Sequence, residues 1–82
     1  MAITSNLSND GDLLTISVQG RFDFSALQSF KNAYEKINPK AKKYIIDLKE
    51  SEYLDSSALG MLLALRDFSG GEKADISVIN CN

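Results

Sequence analysis

The sequence predicts a small α/β domain built on a mixed β-sheet, with its helices packed mainly against one face. Three observations predict it. Segments whose apolar residues recur every second position alternate with segments whose apolar residues recur every third or fourth, the periods of strand and helix. A nearly continuous apolar run, Tyr44-Ile45-Ile46-Asp47-Leu48, suits a central parallel strand covered on both faces. Finally, 82 residues suffice for one core, so residues 1–82 are read as a single domain burying about 60–65% of its unfolded surface.

The first residues, 2–7, form at best a short, weak strand, and Asn9-Asp10-Gly11-Asp12 supplies the residue types that tolerate positive φ in a tight hairpin turn. In the next segment Leu14, Ile16 and Val18 alternate with Thr15, Ser17 and Gln19, a strand with one buried face, punctuated by Gly20. Ser25 with Gln28 makes a capping-box pattern, and Leu27, Phe30, Tyr34 and Ile37 form one apolar helical stripe with Lys31, Asn32, Glu35 and Lys36 facing water. Asn38-Pro39 stops that helix, because proline disfavours helical geometry in the residue before it.

After a basic loop at 40–43 and the apolar strand comes a short polar bend, then a second helix over about residues 56–68. Ala58, Met61, Leu62 and Leu65 share one stripe of this helix, while Leu59 and Leu63 point elsewhere. A helix apolar nearly all round in so small a domain is expected to leave an exposed strip for a partner. Gly60 inside it costs about 1 kcal/mol relative to alanine, which calls for a closely approaching strand, loop or partner backbone, or else is simply tolerated. Gly70-Gly71 ends the helix, and Ile76, Val78 and Ile79 form a last strand.

Composition narrows the function. A net charge of −2 with 44% hydrophobic and 24% charged residues fits a folded domain without the basic footprint that nucleic acid or an anionic membrane requires. There is no histidine and a single cysteine, Cys81, so neither a histidine general base, a zinc site nor an internal disulfide is expected. Residues 1–11 lack a signal-peptide pattern, and no apolar run approaches the roughly 18 residues of a membrane span. A cytoplasmic, non-enzymatic protein without cofactor or metal is the expectation.

The remaining signal is the corner Tyr53-Leu54-Asp55-Ser56-Ser57-Ala58-Leu59-Gly60-Met61. Asp55, Ser56 and Ser57 are residue types that cap helix starts, by accepting bonds from amides the first turn leaves unsatisfied. By residue type alone such a corner reads first as ordinary capping. A phosphate on either serine would nonetheless be tolerated at the positive end of the helix dipole. Asp-Ser-Ser-Ala-Leu-Gly after an apolar strand resembles the central motif of the STAS domains of bacterial anti-sigma factor antagonists, Asp-Ser-Ser/Thr-Gly/Ala-Leu-Gly. The stretch Gly20-Arg21-Phe22-Asp23-Phe24-Ser25-Ala26 looks like that family's Gly-x-Leu/Phe-Asp turn, at the family's spacing.

The resemblance implies a STAS-like fold whose usual C-terminal helix is apparently absent here, which leaves room for homodimerisation or strand exchange. It also implies a cycle: a kinase that is itself the anti-sigma factor phosphorylates Ser56, with Ser57 as the runner-up acceptor, and a serine phosphatase reverses it. Unphosphorylated protein binds the kinase and frees the sigma factor. The expected partner-binding residues are Asp23, Phe24, Asp55, Ser56, Ser57, Leu59, Gly60, Met61 and Leu63. Two other readings stay open. One is a STAS accessory subunit of a lipid- or anion-transport complex. The other is a phospho-aspartate receiver on Asp55, disfavoured because Asn9, Asp10 and Asp12 precede the strong strand and are misplaced to hold magnesium.

Overall fold

The computed structural model describes residues 2–37, 40–54, 56–73 and 75–80. The chain runs β1 (Ala2–Leu7), β2 (Leu13–Phe22), a 3-10 turn at Phe24–Ala26, α1 (Leu27–Glu35), β3 (Lys43–Asp47), β4 (Ser51–Leu54), α2 (Ser56–Ser69), a second 3-10 turn at Gly71–Lys73 and β5 (Ile76–Ile79). The strands lie in the order β1-β2-β3-β5, and β4 pairs with the far end of β2. Only β1 is antiparallel; β2, β3, β4 and β5 run parallel, so the sheet is mixed as the sequence predicts.

The opening hairpin forms, and β1 is stronger than its composition suggests, pairing along all six of its residues. Its turn is built by side chains. Ser8 Oγ donates to Asp10 Oδ1 at 2.6 Å, the Asp12 amide donates to the same oxygen at 3.0 Å, and Gly11 takes a φ of +77°. Gly20 does not end β2. The strand runs on to Phe22, and the register against β4 slips between Gly20 and Arg21 while Gly20 adopts a φ of +83°. A bulge with a positive-φ glycine bends the strand where a residue bearing Cβ would be strained.

One face of the sheet carries the core. Leu14, Ile16 and Val18 of β2 and Tyr44 and Ile46 of β3 are buried beneath Phe30 and Tyr34 of α1 and Ala58, Met61 and Leu65 of α2. The alternate residues Thr15, Ser17, Ile45 and Asp47 are only half-buried. β3 is therefore central in the sheet, but the expectation that both its faces are covered fails: its apolar run reads as two-sided because Ile45 is aliphatic, whereas Asp47 marks the open face. The predicted stripe on α1 holds, with Leu27 and Ile37 half-buried at its ends.

The capping box does not form. Ala26 is the N-cap residue of α1 and makes no side-chain cap; Gln28 bonds Asn32 at 3.0 Å. The capping oxygen comes from Asp23, which accepts the Ser25 amide at 3.0 Å and the Ser25 hydroxyl, while its carbonyl accepts the Ala26 amide at 2.9 Å. An aspartate two residues earlier, with a 3-10 turn between, does what the box was expected to do. Asn38 and Pro39 lie outside the described residues; α1 ends at Glu35. At the far end of α2, Lys40 Nζ donates to the Phe68 carbonyl at 2.7 Å and sits 4.5 Å from the Phe68 ring centre, and Gly70 and Gly71 have φ of +128° and +63°. A cation on the last carbonyls and a left-handed glycine are the usual ends of a helix.

Candidate functional site

The site is assembled by β4, an element hidden within what the sequence shows only as a polar bend. The chain leaves β3, and the Ser51 amide donates back to the Leu48 carbonyl at 3.0 Å. It then runs beside the last residues of β2, with Phe22 aligned to Leu54. The Gly20 amide donates to the Glu50 carbonyl at 3.0 Å and Ser51 Oγ to the Gly20 carbonyl at 3.2 Å, clamping bulge to bend. β2 and β4 thus finish side by side, so the turn after one, Asp23 to Ala26, neighbours the helix after the other. Asp55, a predicted partner-binding residue, lies outside the described residues.

Asp23 is firmly placed. Besides Ser25 it accepts Arg21 Nε at 3.1 Å. The Ser25 hydroxyl first, and then Arg21, hold its carboxyl below the usual carboxylate range, so it is anionic at neutral pH. Arg21 is missing from the residues proposed from sequence; its only signal was its position two residues before the aspartate, on a strand edge. The Phe24 backbone forms the first residue of the 3-10 turn; its side chain is outside the described set.

Ser56 is the first residue of α2 and is exposed, whereas Ser57 is half-buried. The amides of a first helical turn have no intrahelical partner, so Ser56 Oγ stands where an anion is electrostatically favoured. Further along, Leu59 is 61% and Leu63 49% exposed, and Gly60 and Ala64 are exposed with them. Ser56, Gly60 and Ala64, four residues apart, lie one above another on the helix surface, flanked by the two leucines. Ala64 was not singled out from sequence, although its spacing from Gly60 pointed to it.

Two expectations on this helix are corrected. Met61 is only 4% exposed and belongs to the core, because it lies three residues from Ala58 and four from Leu65 on the inward stripe; it cannot present its side chain to a partner. At Gly60, an added Cβ would meet nothing within 4 Å, so no strand or loop among the described residues requires the glycine, and a partner backbone or simple tolerance remains.

Among the described residues no group of three His, Cys, Asp or Glu side chains is placed to hold a metal ion, and no helix is long and apolar enough to cross a membrane. The site is a convex helix end with an apolar strip.

Comparison with known proteins bears on what such a corner serves. The family model described as "Mlab, STAS domain" matches residues 5–82. A STAS-domain containing protein of Pseudomonas aeruginosa is 57% identical over 82 residues, spanning 100% of this chain and 81% of the relative. Among solved structures, the STAS domain of an antisigma-factor antagonist from Rhodobacter sphaeroides superposes with a TM-score of 0.72 at 22% identity, covering 96% of this chain and 85% of that one. The anti-sigma factor antagonist SpoIIAA in its unphosphorylated form gives 0.80 at 14% identity, covering 99% and 74%. A sulfate transporter family protein from Wolinella succinogenes gives 0.68 at 12% identity, covering 89% and 58%. At these identities the three structures establish the fold, which is the mixed α/β architecture described above.

Proposed function

The chain belongs to the STAS domain family, and on that premise we propose that it is an anti-sigma factor antagonist, a binding module without catalysis of its own whose hold on its partner is switched at Ser56. The partner is an anti-sigma factor with serine-kinase activity; unphosphorylated protein captures it and frees a sigma factor, and a serine phosphatase resets the cycle in the cytoplasm. The observation that carries this reading is the exposure of Ser56 at the first turn of α2, with the uncovered strip of Leu59, Gly60 and Leu63 running directly from it. That two of the solved structures sharing the fold are anti-sigma factor antagonists supports it.

The physical chemistry of the switch follows from that position. A phosphoserine adds roughly −1.5 to −2 charges and three acceptor oxygens. On the free protein these sit at the positive pole of α2, so the fold tolerates them. At an interface that has closed over Leu59 and Leu63, the same dianion must be stripped of water beside apolar surface, which costs several kcal/mol. Since 1.4 kcal/mol is tenfold in affinity, that cost empties a micromolar complex. Ser56 is preferred to Ser57 as acceptor because a kinase must reach the hydroxyl and Ser57 is half-buried.

The transporter relative favours a second reading, an accessory subunit of a transport complex bound through the same face of α2 without sigma control. Affinity capture from the cells of origin separates the two. Unphosphorylated wild type and Ser56→Ala are expected to retain an anti-sigma factor kinase that Ser56→Asp loses by tenfold or more. Retention of a transport subunit by all three forms would install the second reading.

A further inference from the structure

Among the described residues β5 is the last strand of the sheet, with nothing paired to its outer edge. The bonds from the Tyr44 amide to the Asp75 carbonyl at 2.8 Å and from the Leu48 amide to the Ile79 carbonyl at 3.0 Å fix which main-chain groups face β3. By strand alternation, Asp75, Ser77 and Ile79 turn theirs inward, and Ile76 and Val78 turn theirs outward. No strand lies beyond β5 among the described residues. Soluble proteins usually guard such an edge with charge, proline or a bulge. Ile76-Ser77-Val78-Ile79 carries no charge and no proline. Val78 and Ile79 are 43% and 40% exposed, on opposite faces, since Val78 aligns with buried Ile46 and Ile79 with Asp47.

We propose that a second copy of this chain docks on this edge, β5 against β5 and antiparallel, to form one continuous sheet across a two-fold axis. The strand is complementary to itself. With Ser77 opposite Ser77 of the copy, Ile76 of each chain faces Val78 of the other, and these are the residues whose amides and carbonyls point outward. Their side chains share the helix-covered face, so the pairing gathers two isoleucines and two valines into one apolar cluster.

The opposite edge is less suited: β1 leaves Thr4, Ser5 and Asn6 exposed and, among large apolar residues, only Leu7, at 39%. The pairing also leaves both Ser56 corners uncovered, at opposite ends of the joined sheet, so the assembly presents two switch sites. A symmetric closed pair of this kind does not propagate into fibres.

Sedimentation equilibrium of the whole chain over a concentration series reaching about 1 mM tests the proposal, because so short an edge implies weak association. The mass is expected to rise from 9.0 kDa to twice that. Val78→Lys is expected to stay at 9.0 kDa with an unchanged far-UV spectrum, and Leu7→Lys to associate like wild type. Amide exchange of wild type provides a readout independent of any variant's folding: protection of the Ile76 and Val78 amides should rise with concentration. A single species of 9.0 kDa throughout, association that survives in Val78→Lys or vanishes in Leu7→Lys, or concentration-independent exchange at Ile76 and Val78 would each overturn it.

Discussion

Ser56 and Asp23 divide the chemistry of the corner between them: one is exposed, the other held by two neighbours. The fixed charge of Asp23 has a measurable consequence. Its carboxyl ionises below the usual 3.8, first because of the Ser25 hydroxyl and then because of Arg21; Asp10, through Ser8, and Asp47, through Asn80, are shifted the same way. A carboxyl that gives up its proton more readily folded than unfolded adds stability above its unfolded pKa, and that share is lost as pH falls through the lower folded value. Stability is therefore expected to decline from about pH 4 downward as the three protonate. Asp23→Asn should be less stable than wild type at neutral pH but converge with it at strongly acid pH, as followed by urea melts across the range. A constant gap at every pH would contradict this assignment.

α2 serves two masters, and its two faces are separable by substitution. Met61→Ala is expected to cost about 2–5 kcal/mol, the loss for a buried chain of that size. Leu59→Ala should change stability by no more than about 0.5 kcal/mol, being surface, while weakening partner binding by about tenfold. Gly60→Ala sharpens the contrast. With open space at the Cβ position it should stabilise the helix by up to about 1 kcal/mol, yet reduce binding if a partner backbone rests on the glycine. Thermal melts beside affinity measurements separate these effects; a destabilised Gly60→Ala would show that the helix is constrained there after all. This face was only partly legible in the sequence. Of the stripe Ala58, Met61, Leu62 and Leu65 given by periodicity, three residues are buried and Leu62 is half-buried against the core, but the placement of Met61 among partner residues follows a motif read linearly, where burial follows the 3.6-residue turn. β4 escaped notice because four residues without alternation carry no period, and the capping role of Asp23 because a 3-10 turn intervenes before the helix. The hairpin, both helices and the last strand were legible because turn glycines and apolar spacing are local signals.

At the scale of the molecule, an aromatic ladder ties the layers together. Phe22 of β2 lies 5.2 Å from Phe30 of α1 by ring centroids, Phe30 5.7 Å from Tyr34, and Tyr34 5.0 Å from Phe68 of α2. The radius of gyration, 11.7 Å, matches a chain of this length packed at ordinary density, so the exposed leucines of α2 do not reflect a loose fold. Phe30→Ala removes the middle rung and is expected to cost about 3–5 kcal/mol, a large share of the 5–15 kcal/mol typical of a whole domain. Its urea midpoint should fall by a third or more, and a small shift would mean that the ladder is not the keystone of the core. The switch requires this rigidity, since a phosphate that leaves the fold intact can act only through what the partner must dehydrate. The most direct test is peptide mass spectrometry of the protein purified from its own cells, with and without phosphatase treatment, beside Ser56→Ala. The account predicts a single phosphate on Ser56, removed by the phosphatase and absent from the variant. A protein never phosphorylated at Ser56 under any growth or stress condition would contradict it.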